Sequence, residues 1–247
     1  MKQENIWSKR LLPDKNALLK FEHLTAMFVL LYHQYASEKQ ALYDSIIPHT
    51  YRCEYAKGGQ AIHRGFYAPS ALDLVVGGMN RGRLLKRLSK NSVPDYEYGW
   101  SENNQLLWCK TISDSRLDDC DSGFVEFLVY RSNEVLSFAF EGDILLFITR
   151  SIYEQGLLIR YETALIPAGD CHELNVEEFE YSENKLQSLF WSRYCPSIKL
   201  LEQNKYVFSR DKDDYLSTYT IEHAAEATKN SLQASEKPVY HVLARRK

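Results

Sequence analysis

Tyr96-Glu97-Tyr98-Gly99-Trp100, Ser101-Glu102-Asn103-Asn104, Gln105-Leu106-Leu107-Trp108-Cys109-Lys110-Thr111 is the stretch whose reading decides the fold. On both sides of a short polar run the residues follow a period of two, the pattern of two antiparallel strands joined by a turn. The same grammar returns at residues 124–130 and 135–140 around Arg131-Ser132-Asn133-Glu134, and at 144–153 and 157–165 around Glu154-Gln155-Gly156. Two further copies follow, 178–181 and 185–194 around Ser182-Glu183-Asn184, then 205–209 and 215–221 around residues 210–214. Each copy places an aromatic before the turn and an aliphatic after it: Tyr98 and Leu106, Tyr130 and Leu136, Tyr153 and Leu157 or Leu158, Tyr181 and Leu186, Phe208 and Leu216. A lone hairpin is marginal in water, so repeated hairpins are expected to pair edge to edge into one extended, twisted antiparallel sheet.

Upstream the period changes. Ala17, Leu18, Phe21, Leu24, Phe28, Leu31, Tyr32 and Tyr35 recur at steps of three and four, with Leu42 further along, predicting one helix that starts near Asp14-Lys15-Asn16 and ends before Pro48. Its wide apolar face is expected to pack on the sheet. Residues 71–76 read as a short apolar strand or helix, Gly77-Gly78-Met79-Asn80-Arg81-Gly82 as a loop, and 83–90 as a short basic helix or strand. Residues 224–234 read as helix or loop, and 238–244 as a terminal edge strand. The expectation is an α+β chain: a single domain over 1–247, with a helical and mixed part over 1–90 and antiparallel hairpins over 91–247.

Composition narrows the class. With 45% hydrophobic and 26% charged residues the chain can bury a full core, and its 17 Tyr suit a half-buried pleated surface. Five scattered cysteines without a CxxC pair point to a reducing compartment. Lys2-Gln3-Glu4-Asn5 lacks the apolar core of a secretory signal, and the longest apolar stretch, 24–31, is too short to span a bilayer. A cytoplasmic protein with no membrane role is expected. Residues 1–90 hold 14 Lys and Arg against 7 Asp and Glu, a balance of +7; residues 91–247 hold 16 against 26, a balance of −10, and the two recover the net −3. That split bears on partners and association rates.

Candidate chemistry is sparse. The 77–82 loop, followed by Arg83, Lys86 and Arg87, offers amides and positive charge to a phosphate, yet it matches neither a P-loop nor GxGxxG. Joined with His63 and Arg64, it defines an alternative reading as an enzyme or nucleotide-binding protein. Asp118-Asp119-Cys120-Asp121-Ser122-Gly123 alternates acids toward a glycine but lacks the later bidentate Glu of a calcium loop. The seven histidines make no metal spacing with one another, and Cys171-His172-Glu173 cannot close a zinc site alone. No GxSxG elbow or cysteine signature is present. These patterns assign no catalytic residue, metal, cofactor or small-molecule substrate, and the basic first part lacks the interleaved aromatics of a nucleic-acid module, so a nucleic-acid partner is not expected.

Arg81-Gly82-Arg83-Leu84-Leu85-Lys86, followed by Tyr96-Glu97-Tyr98 and Glu102-Asn103-Asn104-Gln105-Leu106, resembles the passage from helical part to meander in small cytoplasmic immunity proteins of bacterial polymorphic toxins. The span 94–221 also resembles tyrosine-rich hairpin repeats of the Rhs or YD type, with Gly99, Arg131, Glu154 or Ser182 in place of the usual Asp. The resemblance implies a binding protein that covers the active site of a cognate, basic toxin such as a nuclease. Contacts implied on the sheet are Tyr96, Tyr98, Trp100, Trp108, Tyr130, Glu178, Glu180, Tyr181 and Trp191, since Tyr and Trp are common interface anchors.

Overall fold

Sustained alternation becomes hydrogen-bonded strand throughout the computed structural model, which describes residues 15–61, 63–88, 93–112, 124–223 and 241–242. The strands are β1 (Arg52–Lys57), β2 (Arg83–Leu84), β3 (Tyr96–Trp100), β4 (Leu106–Thr111), β5 (Phe124–Arg131), β6 (Glu134–Glu141), β7 (Ile144–Glu154), β8 (Leu157–Leu165), β9 (Glu173–Ser182), β10 (Lys185–Cys195), β11 (Leu200–Arg210), β12 (Leu216–His223) and β13 (His241–Val242). They form one 13-stranded antiparallel sheet in which β3 to β13 follow sequence order. The single departure is β1, which pairs with β3 on one side and with the edge strand β2 on the other.

Alternate hairpin turns fall at the same end of a meander. At the end carrying the five polar turns of the sequence repeat, Gln155 and Gly156 have φ of 50° and 82°, and Glu183 and Asn184 52° and 62°. Paired positive φ values match the twist of the flanking strands. Register shifts at Gly99/Trp100, Ile152/Tyr153, Leu186/Ser188 and Ser209/Arg210 lie beside turns at this end, where a bulge increases local twist.

The aromatic before each turn has a specific task. The Tyr130 hydroxyl donates to Leu106 O at 2.9 Å, and the Tyr181 hydroxyl donates to Leu158 O at 2.8 Å. Each reaches back to the carbonyl of the aliphatic residue that follows the previous turn. Phe208 has no hydroxyl, and two residues on Arg210 Nη2 donates to Leu186 O at 3.3 Å instead. The Tyr153 N–H donates to Asn133 O at 2.8 Å. Successive hairpins are thereby tied to one another at their turn end.

Both faces of the sheet's middle are covered. One receives α1 (Lys15–Tyr35) and α2 (Lys39–Ile46). Phe21 packs on Tyr194, Phe28 is fully buried, and Tyr35 stacks on Phe138 with ring centroids 4.0 Å apart. Phe21 and Phe28, both buried, contribute about 1.5–3 kcal/mol each. The single helix expected from the sequence is two: residues 36–38 break it so that α2 can bring Leu42 into the core and Tyr43 onto Phe127, while Lys39 Nζ donates to Gly142 O at 2.6 Å.

Residues 58–61 and 63–82 form a strap across the opposite face. Gly59 and Gly65 pass over Tyr96; at Gly65, with φ of 45°, an added Cβ would lie 2.8 Å from the Tyr96 ring and the Tyr98 hydroxyl. Farther along, the segment read as strand or helix is a π turn, Leu72–Val76, which packs with Ala71 on an aromatic cluster that includes Tyr161, Phe179, Tyr206 and Phe208. The basic stretch after it contributes only the two-residue β2, while residues 89–90, 118–123 and 224–234 lie outside the described set. Of the expected terminal strand, 241–242 are described, paired with Thr218 and Tyr219.

Gly99 shows how tightly this fold is drawn. It sits beneath the cross-strand Trp108, and a Cβ there would fall 1.9 Å from the indole nitrogen. Gly99→Ala is expected to destabilise the protein by about 3 kcal/mol through overpacking, read as a lower urea midpoint with an altered tryptophan emission.

Candidate functional site

Strand alternation in β5 would put only apolar side chains under the strap, yet Glu126 stands there, buried. Its partner comes from the strap. Arg64, in a left-handed conformation with φ of 58°, donates from Nε to Glu126 at 2.9 Å and from Nη2 to Thr149 Oγ1 at 2.9 Å. Thr149 in turn shares a 2.6 Å hydrogen bond with Ser137, and His63 Nδ1 lies 3.8 Å from Glu126. Burial pushes the Glu126 carboxyl up, but Arg64 and His63 outweigh it and hold the group down at about 2. Both charges are therefore fixed at neutral pH. Cys109, nearby, has its thiol pushed well above the ordinary range by burial, and is held as an unreactive thiol.

A second buried acid anchors the far end of the strap. Glu177 on β9 accepts from Ser70 Oγ at 2.6 Å and from the Ala71 and Leu72 N–H groups at 2.9 Å each. Those donors are the free amides at the start of the π turn, a terminus that attracts a carboxylate. Burial nevertheless raises the Glu177 pKa to about 7, opposed by the bonds from Ser70, Leu72 and Ala71.

The residues of the alternative reading are placed here, and they are committed. His63 and Arg64 border a cavity of about 10 Å³, room for one water molecule. In the glycine loop, the Gly77, Met79, Asn80 and Gly82 N–H groups donate to Leu72 O, Asp73 O, Gln60 Oε1 and Asn80 Oδ1. Four of the loop's amides are thus bonded within the chain.

The contacts expected on the sheet are dispersed, and several are corrected. Tyr96 and Tyr98 are buried under the strap: the Tyr96 hydroxyl donates to Ala61 O at 3.1 Å, and the Tyr98 hydroxyl, fully inaccessible, accepts from the Phe66 N–H at 3.0 Å. Trp108 is buried on the helix face, donating to Thr50 Oγ1 at 2.9 Å. None of these three can meet a partner in this conformation, because the helices and strap occupy the faces they point to. Trp100 is half-buried between Arg52, 4.9 Å from its ring centre, and Tyr67. Tyr181 is half-buried, and Trp191 is half-buried and donates to Asn175 at 3.2 Å. Glu178 binds Arg160 at 2.6 Å on the helix face; Glu180 is exposed and bonded to Ser188 and Lys205. Only Tyr130 and Glu180 of the nine are exposed.

Sequence reasoning missed Glu126 and Glu177 as anchors. The signal was a lone acid inside the apolar run Phe124-Val125-Glu126-Phe127-Leu128, which breaks the alternation. Among the described residues, no three His, Cys, Asp or Glu converge to hold a metal, and no helix is long and apolar enough to cross a membrane. No family model matches this chain, and no curated protein or solved structure is found similar to it.

The two anchors separate by pH. The folded Glu177 carboxyl keeps its proton up to about 7, whereas the unfolded one loses it near the ordinary 4.5. Stability is therefore expected to fall, by on the order of 3 kcal/mol, as pH rises from 4.5 to 7, and then level off. Glu126, depressed to about 2, contributes fully above 4.5 and loses its contribution only below that. Urea midpoints between pH 4.5 and 8 should slope downward in the wild type and clearly less steeply in Glu177→Gln, where the raised Asp73 carboxyl keeps a smaller slope of the same sign.

Proposed function

We propose that this chain is a cytoplasmic protein-binding factor that neutralises a cognate toxin, and that it grips its target with the turn end of the sheet. The observation that carries the reading is the row of five successive hairpin turns at that end. Glu102, Glu154 and Glu183 project from the first, third and fourth turns, all exposed and with no ion-pair partner among the described residues. Tyr130 and Tyr215 stand beside the second and fifth, 39% and 67% exposed.

Three physical arguments support the reading. Ties from Tyr130, Tyr181 and Arg210 to preceding hairpins hold the row in place before any encounter, which lowers the entropy lost on association. Exposed Tyr side chains among polar neighbours are effective contact residues. Unpaired acids along one edge complement a basic partner such as a nuclease and speed its capture. On this reading the contact surface is the rim of the sheet, a choice supported by the helices and strap that cover its aromatic faces. Free thiols at Cys53, Cys109, Cys171 and Cys195 agree with a reducing compartment.

A toxin domain encoded beside this chain in its native genome supplies the test. Wild type is expected to protect cells from it and to form a 1:1 complex whose association slows with added salt. The triple variant Glu102→Lys, Glu154→Lys, Glu183→Lys, confined to exposed positions, should associate at least tenfold more slowly and lose protection. Absence of protection by the wild type contradicts the function; full protection by the variant contradicts the surface.

A further inference from the structure

On the helix face, β6 to β9 carry a run of linked charges. Arg150 Nε donates to Glu134 at 2.7 Å, and its Nη1 lies 3.6 Å from Glu162. Arg160 Nε donates to Glu162 at 2.5 Å and its Nη1 to Glu178 at 2.6 Å; Lys20, from α1, lies 3.8 Å from Glu178. Arg131 Nη1 lies 3.9 Å from Glu134 at the other end of the run, so four bases meet three acids. The Glu162 side chain is 1% exposed, while Arg160 and Arg150 keep 17% and 25%.

The arginines remain accessible because they border a groove of about 400 Å³ between α1 and the sheet. Leu24, Met27 and Ile152 are its apolar walls, Lys20, His23 and Glu162 also line it, and Arg150 Nη1 donates to the Met27 sulfur at 3.8 Å. The groove is open to solvent along one side, so a bound molecule would lie along it. A guanidinium has five N–H donors. The bonds above use Nε and Nη1 of Arg150 and Arg160, so both Nη2 groups have no partner among the described residues. Flanking carboxylates fix the two guanidinium planes, and fixed donors beside apolar walls suit an anionic head on an apolar body.

Charge then selects the head group. Counting Arg131, four cations face three carboxylates, so a monoanion completes the balance and a phosphate dianion leaves one negative charge in excess. We propose that the groove between α1 and strands β7 and β8 binds an amphiphilic monocarboxylate, its head on Arg150, Arg160 and Lys20 and its chain against Leu24, Met27 and Ile152. These residues are distinct from those of the turn end, so either reading stands or falls without the other.

Decanoate is the probe, titrated into the full chain by calorimetry below its micelle concentration. Because Arg160→Gln strips a partner from buried Glu162, the variants are Lys20→Gln and Met27→Trp on α1, with melting temperatures checked against wild type. Saturable 1:1 binding is expected, weakened about threefold by Lys20→Gln and at least tenfold by Met27→Trp, which fills the groove. Decanol and decyl phosphate should each bind at least tenfold more weakly than decanoate. The proposal is overturned by an absence of saturable decanoate binding, by unchanged affinity in Met27→Trp, or by equal affinity for decanol.

Discussion

An open sheet of thirteen strands has two apolar faces, and the structure depends on the way the second of them is closed. Helices α1 and α2 shield one face by ordinary apolar packing. The other is closed by a strap with little regular structure, and such a segment leaves many backbone groups to satisfy. Two buried acids pin it to the sheet: Glu126 receives the Arg64 side chain, and Glu177 receives the side chain of Ser70 with the amides of Ala71 and Leu72. Removing either partner of the Arg64 pair would leave an uncompensated buried charge, which costs about 3–5 kcal/mol.

From these anchors the remaining geometry follows. Arg64 fixes the strap over β5 and β7, so that Gly65 crosses Tyr96 and Tyr98 and both hydroxyls find strap backbone groups as partners. Glu177 holds the π turn over the aromatic cluster of β8 to β12, where Tyr161, Phe179 and Tyr206 need a cover. With covers on both faces of the sheet's middle, the ends where the turns lie remain exposed. A firm rim of polar turns and the mixed-charge groove under α1 use different chemistry, one suited to a protein surface and the other to a small anion.

Much of the fold was legible because it is written in local periods. Tyr96-Glu97-Tyr98 and its later counterparts declare strands, and the Phe21 to Phe28 spacing declares a helix face. The break at residues 36–38 was not legible, since it contains neither Pro nor Gly and answers to the position of Phe127, far along the chain. The π turn was hidden for the same reason: its amides are satisfied by a carboxylate 105 residues away. Alternation shows which residues share a face and is silent on what covers it, so Tyr96, Tyr98 and Trp108 read as surface anchors and are core. Glu126 left a mark in the sequence, as an acid among apolar neighbours, but its meaning needed Arg64 beside it.

Native-state hydrogen exchange tests the central claim, that the strap and the central sheet are one cooperative unit held by the two acids. The amides of Tyr67, Ala68 and Leu74 in the strap are to be compared with those of β5 to β9 as urea is raised. The account predicts that both sets open with the same free energy and the same urea dependence. Strap amides exchanging through a low-energy, urea-insensitive opening while the sheet stays protected would contradict it.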